Sequence, residues 1–196
     1  MRQIIRASLV GLLITLTSIT ARADDNDDAS YQDTIKVFTN AGESGSFFDK
    51  SYGYAIFPTI GKGGFGIGGA YGKGRVYAAG SYLGDTSMTQ VTVGFQFGGQ
   101  AYSQIIFFED ERAFKEFTSG DFEFGAQATA VAITAGASAS ASTTGTSAGA
   151  SGGKNDATTT TAGTGFHKGM AVFTVTKGGL MYEASIGGQK FSYTPR

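Results

Sequence analysis

The sequence predicts an α+β protein that is mainly β: a strongly curved antiparallel sheet, or partial barrel, with glycine-rich corners. A short N-terminal helix and one helix near residues 110–118 complete the predicted fold. Apolar residues alternate with period two over most of the chain, which is typical of strands. Three strand-like runs end in a glycine pair, at Gly68-Gly69, Gly98-Gly99 and Gly187-Gly188. Glycines at such positions allow a sheet to bend.

The first 23 residues have the pattern of a secretory signal peptide. Arg2 and Arg6 provide a positive start, residues 7–19 are apolar, and small residues stand at Ala21 and Ala23. The apolar run is shorter than the ~20 residues of a membrane-spanning helix. We therefore predict cleavage after Ala23 and export to the periplasm or the medium.

Composition argues against several classes of function. The leader holds three of the 15 basic residues, so the 16 acidic residues predominate in the remainder. Nucleic-acid binding, which favours a strongly basic domain, is not expected. The chain has no cysteine, which excludes disulfides, thiolate metal sites and a cysteine nucleophile. It also excludes the acylated cysteine of lipoproteins, so we expect no covalent lipid anchor.

After the leader, residues 24–29 are acidic and predict a solvated tether. Ser30 and Asp33 then fit a capping box at the start of a helix that ends near Gly42. One face of this helix is apolar and consists of Tyr31, Ile35 and Phe38. We expect this face to pack on the domain. The alternative is a membrane-touching amphipathic helix, but its polar face carries only Lys36 as a cation, and interfacial helices usually carry several.

Residues 61–74 contain eight glycines, and Gly64-x-Gly66-x-x-Gly69 fits a dinucleotide-binding fingerprint. That fingerprint must open a helix, whereas further glycines continue to residue 80, and each would destabilise a helix by ~1 kcal/mol relative to alanine. A phosphate-binding Walker loop is excluded because glycine follows Lys62. The stretch instead predicts a strand with one glycine face, which another backbone or an aromatic ring can approach closely.

The centre of the chain predicts a buried strand followed by a helix. Residues 104–108 are the most apolar strand candidate. Asp110 is placed to cap a helix that runs through Thr118, with Gly120 as its stop signal. The helix has an apolar stripe, Ala113, Phe114 and Phe117, and an i,i+4 charge pair, Glu111 and Lys115.

From Phe122 to Ala132 apolar residues again alternate, which predicts one long strand. Residues 136–165 are almost entirely Ala, Ser, Thr and Gly, too poor in large apolar groups to offset ordering entropy, and they predict a mobile loop. The remaining two strand candidates, residues 170–176 and 180–193, predict a terminal hairpin.

Catalytic chemistry is not expected. The chain has one histidine, His167, and no serine in a G-x-S-x-G elbow. A metal site would need further nitrogen ligands or a carboxylate cluster. We predict no enzymatic activity, no metal site and no cofactor.

The binding candidates are the cations next to glycine turns: Lys62, Lys73, Arg75, Lys177 and Lys190. If these turns lie on one rim, each cation contributes up to ~1 kcal/mol at an anionic membrane surface. The alternative is that such residues keep turns soluble and strand edges unpaired.

Four ordered blocks resemble the SYLF domain family, particularly its secreted bacterial branch. They are GYAIFPTIGKGGFGIGGAYGKGRVY, VTVGFQFGGQAYSQIIFF, AFKEFTSGDFEFGAQATAVAI and KGGLMYEASIGGQKF. The resemblance spans residues 53–193 apart from the loop and implies a single SYLF-like domain over residues 30–196. It also implies a curved antiparallel sheet and lipid binding, phosphoinositides included. Some eukaryotic members bind actin alongside an SH3 or FYVE domain, which this chain lacks, so actin is a partner by family resemblance alone.

The leading hypothesis is therefore an exported domain that binds anionic lipid through the basic turns. The alternative is a structural or protein-interaction module of the envelope, including a small eight-stranded outer-membrane barrel. Against that barrel stand the helix at 110–118 and the absence of a terminal aromatic residue.

Overall fold

The computed structural model describes residues 19–65, 67–93, 99–126, 128, 130–133, 165–177 and 186–196. Three helices lie in these ranges: α1 (Ile19–Asn40), α2 (Gly42–Gly45) and α3 (Glu111–Phe117). The strands are β1 (Gly53–Phe65), β2 (Ile67–Ala78), β3 (Ser81–Val93), β4 (Gly99–Phe108), β5 (Phe122–Glu123), β6 (Val131–Ile133), β7 (Met170–Lys177) and β8 (Lys190–Pro195). The predicted mainly β class is confirmed.

The strands form one sheet in the order β5-β8-β3-β2-β1-β4-β7-β6. All neighbours are antiparallel except β6 and β7, which are parallel. A flat sheet of eight strands would place its edges about 34 Å apart. The stretch from Glu123 in β5 to Val131 in β6 reaches at most about 29 Å even when fully extended. The sheet must therefore curl, as predicted, and it resembles half a barrel.

Each face of the curled sheet carries its own hydrophobic core. The concave face is filled mainly by side chains of the strands and of α3, including Phe57, Ile106, Phe117 and Phe191. The convex face is covered at one end by α1 and the turn after α2, which bury Ile56, Phe107 and Phe173. Because side chains alternate along a strand, consecutive apolar residues in β1 and β4 supply both cores.

Helix α1 packs its predicted apolar face on the sheet. Tyr31 and Phe38 are buried and Ile35 is half-buried. The predicted start at Ser30 was wrong, because residues 19–29 are already helical and Ser30 lies inside the helix, where its backbone carbonyl accepts a hydrogen bond from the Thr34 hydroxyl. Residues 24–29 are thus helical rather than a tether. Residues 1–18 lie outside the described ranges, and cleavage after Ala23 stays a prediction.

The glycine-rich stretch forms a hairpin, with β1 ending at Phe65 and β2 beginning at Ile67. The prediction of close approach is confirmed at two positions. A Cβ on Gly72 would lie 3.0 Å from the Thr59 backbone carbonyl oxygen, and one on Gly74 would lie 2.6 Å from the Phe57 ring. The prediction of one continuous strand was wrong, because the chain reverses between Phe65 and Ile67.

The central predictions are confirmed. Residues 104–108 are fully buried in β4, an interior strand. The Asp110 carboxylate accepts a 2.8 Å hydrogen bond from the Ala113 N–H at the start of α3. Beyond the end of this helix, Gly120 has a φ of 97°, a left-handed conformation that favours glycine.

Two predictions about the rest of the sheet do not match the described strands. The expected strand over 122–132 is replaced by two short strands, β5 and β6, at opposite edges. The two described strands of the expected terminal hairpin do not pair with each other, since β7 pairs with β4 and β6, and β8 pairs with β3 and β5. Of the predicted loop at 136–165, all but Gly165 lies outside the described residues, as do residues 178–185 of the expected hairpin.

Candidate functional site

One cross-strand row of residues runs over six strands on the convex face. Residues directly opposite each other in an antiparallel pair project from the same face of the sheet. The pairings place the following residues in one row: Lys177, Ala101, Gly61, Tyr71, Thr89 and Lys190. With strands about 4.8 Å apart, Tyr71 stands between two lysines, about 14 Å from Lys177 and about 10 Å from Lys190 along the row.

A third lysine of the same face lies in the next row. Lys73 is opposite Thr59 on one side and Ser87 on the other. Its side chain is exposed, and within the described ranges its ammonium makes no hydrogen bond or ion pair. We call these three lysines of the convex face, Lys73, Lys177 and Lys190, the cation row, although Lys73 lies one cross-strand row away from the other two.

The two outer lysines of the cation row have weak partners. The Lys177 ammonium donates a 2.8 Å hydrogen bond to the Thr59 hydroxyl, so its charge is not neutralised. Lys190 lies 3.4 Å from a carboxylate oxygen of Glu123, and both side chains are about half exposed or more. An exposed ion pair of this kind contributes ~0.2–1 kcal/mol, so both lysines remain available to an external anion.

Beyond the cation row, the same face ends in exposed apolar side chains. Ile67 is 71% exposed, Val91 77% and Tyr71 52%. Val91 lies opposite Gly69, which has no side chain to cover it, and Ile67 is two residues from Gly69 along β2. We call Ile67, Tyr71 and Val91 the exposed tip. An apolar patch bordered by polar residues marks an interaction site.

The structure divides the five predicted binding residues between the two faces. Lys73, Arg75, Lys177 and Lys190 lie on the convex face, whereas Lys62 is opposite the buried Ala70 and projects from the concave face. None of them lies in a turn. Lys62, Lys73 and Arg75 stand within long strands, and Lys177 and Lys190 are strand ends.

Arg75 borders an open groove of about 1060 Å³ between α1 and strands β2, β3 and β8. Its guanidinium carbon lies 4.3 Å from the centre of the Tyr31 ring and 4.9 Å from that of Tyr82. The guanidinium also donates to the Asp28 carboxylate of α1. The Arg196 guanidinium lies 5.0 Å from the same Tyr82 ring, so two cations share one aromatic side chain.

The groove shifts the ionisation of its lining groups. Burial opposes the charge of Arg75, but the hydrogen bond and the charge of Asp28 outweigh burial and raise its pKa. Burial raises the pKa of Tyr31 to about 12, although the nearby Arg75 charge lowers it in part. Burial, together with a hydrogen bond to Asp85, raises the pKa of Tyr82 to about 12. Both tyrosines are therefore neutral near pH 7.

Other kinds of site have no support in the described residues. There, no group of three His, Asp or Glu side chains is arranged to hold a metal ion. His167 is exposed, and its backbone forms an isolated bridge with Met170. In the same ranges, none of the helices is both long and apolar enough to cross a bilayer.

The sequence identified the cations but missed the exposed tip. Ile67, Tyr71 and Val91 look like ordinary strand residues in the sequence, and their exposure depends on which strands lack a covering helix. The signal that could have found them is the row of glycines on the same face, Gly61, Gly63 and Gly69. Because glycine has no side chain, these three residues cannot cover the apolar side chains next to them, and Ile67, Tyr71 and Val91 stay exposed.

Comparisons with known proteins give two similarities. Residues 89–192, more than half of the chain, match the family described as Ysc84, Las17-binding protein actin regulator. Beta cell expansion factor A of Aeromonas veronii is 28% identical over 160 residues, which cover 80% of this chain. The aligned part is 51% of that relative, so this chain spans about half the length of the protein it resembles.

Proposed function

Because the chain belongs to the Ysc84 family of Las17-binding actin regulators, the family of the SYLF domain, we propose that it is an exported, non-enzymatic domain that docks on anionic membranes. Family membership supports a lipid-binding or actin-regulator type of domain. The choice of lipid rests on the convex face. Export rests on the signal-peptide pattern of the first 23 residues.

The observation that carries the proposal is the exposed tip beside the cation row. Ile67 and Val91, which are more than two-thirds exposed, can enter the boundary between headgroups and acyl chains. Tyr71 has the amphipathic ring that is enriched at this depth. Lys73, Lys177 and Lys190 then lie at headgroup level, where each cation contributes up to ~1 kcal/mol and less at high salt.

The test is co-sedimentation of the purified protein with lipid vesicles over a range of salt concentrations. One set of vesicles is phosphatidylcholine alone, and the other contains phosphatidylglycerol. We expect binding to the anionic vesicles that weakens as salt rises. Ile67→Ser/Val91→Ser should lose binding at all salt concentrations, because it removes the apolar contribution, and Lys73→Glu should lose it mainly at low salt.

Two variants serve as matched controls. Val37→Ser changes an exposed apolar residue on α1, and Lys50→Glu reverses an exposed lysine in the turn after α2. Both lie away from the exposed tip and should bind like the wild type. Equal losses in control and tip variants, or no binding to anionic vesicles at any salt concentration, would overturn the proposal and favour a protein-interaction module.

A further inference from the structure

The groove beside the cation row holds a charge balance that depends on helix α1. The sheet strands and Arg196 contribute three cationic side chains, Lys73, Arg75 and Arg196, and one carboxylate, Asp85. Helix α1 contributes two more carboxylates, Asp27 and Asp28. The charges of these six side chains thus cancel with α1 in place, and the remaining four would be net cationic without Asp27 and Asp28.

Arg75 is held in position as an anion-binding group. The rings of Tyr31 and Tyr82 fix its guanidinium, and its side chain is only 18% exposed. An arginine with a fixed planar fork binds carboxylate or phosphate with two parallel hydrogen bonds. In this structure the Arg75 guanidinium donates one hydrogen bond to the Asp28 carboxylate, and the Asp28 side chain is 63% exposed.

The residues on either side of Asp28 in α1 are open to solvent. Asp27, Asp28 and Ala29 are all exposed, and among the α1 side chains that the structure describes, from residue 27 onward, the first buried one is Tyr31. The Asp28 side of this ion pair is open to solvent, whereas the Arg75 side chain is mostly buried, so an external anion can bind the guanidinium only by taking the place of the Asp28 carboxylate. A phosphate monoester carries up to two negative charges and three acceptor oxygens, and it is therefore a stronger partner for the same guanidinium.

We propose that Arg75, with Lys73 and Arg196, forms a site for a phosphate monoester, and that Asp28 is an internal competitor for this site. The inference rests on the proposed function for the source of the ligand, a membrane headgroup. Lys73 belongs to both the groove and the cation row. Because alternate residues of a strand stand about 7 Å apart, a headgroup at Arg75 lies one step beyond Lys73 and two steps beyond Tyr71.

Hydroxyl groups next to Lys73 complete the site. The Ser87 and Ser192 hydroxyls are 2.7 Å apart and lie in the same cross-strand row as Lys73. A hydroxyl can donate to one oxygen while it accepts from another group, so this pair can turn one proton toward a bound phosphate without losing its mutual hydrogen bond.

The experiment compares a soluble monoester with lipid vesicles. Glycerol 3-phosphate is titrated into the full protein and its binding is followed by isothermal titration calorimetry, a readout that every variant retains. Asp28→Asn should tighten binding of glycerol 3-phosphate severalfold, because this variant lacks the carboxylate that competes for the Arg75 guanidinium. Arg75→Gln should abolish it. Asp33→Asn, which changes an exposed aspartate of the same helix, should leave the affinity as in the wild type.

The vesicle arm separates this inference from the proposed function. Vesicles with phosphatidic acid present a monoester, and vesicles of equal charge with phosphatidylglycerol present a diester. Asp28→Asn should strengthen binding to the former selectively. Unchanged or weaker affinity of Asp28→Asn for glycerol 3-phosphate would overturn the site, even if vesicle binding through the exposed tip persists. Tighter binding of the soluble monoester without any preference for phosphatidic acid would overturn the headgroup as its source.

Discussion

Gln104 and Gln189 exchange two amide hydrogen bonds inside the curled sheet, at 2.9 and 3.2 Å, and both side chains are fully buried. Gln189 also donates to the Tyr102 hydroxyl at 3.2 Å. This pair anchors the turn before β8 to the interior strand β4, although the two residues are 85 positions apart in the sequence.

Removal of both amides should therefore cost less than the two single removals added together. Gln104→Leu leaves the Gln189 side chain buried without its main partner, and we expect a loss of about 1–3 kcal/mol in the free energy of unfolding. Gln104→Leu/Gln189→Leu removes both polar groups and should be less destabilising than the sum of the single changes. Urea denaturation of the four proteins measures this cycle. Strict additivity would show that the pair makes no coupled contribution.

The close contact at Gly74 gives a second prediction. A methyl group there would lie 2.6 Å from the Phe57 ring and 2.7 Å from the Ile56 carbonyl oxygen, so Gly74→Ala should destabilise the protein by about 1–3 kcal/mol. The matched control is Gly61→Ala, where nothing lies within 4 Å of the added Cβ. Thermal unfolding compares the two variants, and equal melting temperatures would contradict the contact.

The cap of α3 can be tested separately from its charge. Asp110→Ala removes the acceptor for the Ala113 N–H and should cost about 1 kcal/mol. Asp110→Asn keeps an acceptor oxygen and should retain most of the stability. If both variants lose stability equally, the charge of Asp110 rather than its hydrogen bond stabilises the helix.

Buried tyrosines predict a loss of stability in alkali. Burial raises the pKa of Tyr54 and of Tyr102 from 10.0 to about 12. Because the folded pKa exceeds the unfolded one, their contribution is complete below pH 10 and is lost as the pH rises toward 12. Absorbance at about 295 nm follows tyrosinate formation, and circular dichroism follows unfolding. Tyr54→Phe should move the unfolding transition to higher pH, and an unchanged transition would show that Tyr54 does not contribute.

The sequence predicted those parts of the fold that depend on interactions between residues close together in the chain. The capping carboxylate of Asp110, the apolar stripe of α3 and the stop at Gly120 all act within a few residues. The apolar face of α1 was predicted for the same reason. The start of α1 was missed because Ser30 and Asp33 satisfy a capping pattern that the helix does not use.

The features that the sequence did not predict depend on pairing between strands that are far apart in the chain. Consecutive strands usually pair, so the two last strand candidates indicated a hairpin, yet β7 and β8 lie near opposite edges. The cation row likewise depends on register. Lys177 and Lys190 share a row with Tyr71 only because five separate strand pairings align them. The residues near each lysine in the sequence do not reveal this alignment.

The short segment 122–133 contributes both edge strands of the sheet, β5 and β6. The stability of the two opposite edges is therefore coupled. Residues 124–128 also exchange hydrogen bonds with the turn before β8: the Phe124 N–H donates to the Gln189 carbonyl, and the Ala128 carbonyl accepts from Ile186. If this segment detaches, the outer backbone groups of β7 and of β8 lose their protection together. The slow hydrogen exchange of these two strands should therefore be lost in a single cooperative event, even though the two described strands are not paired with each other.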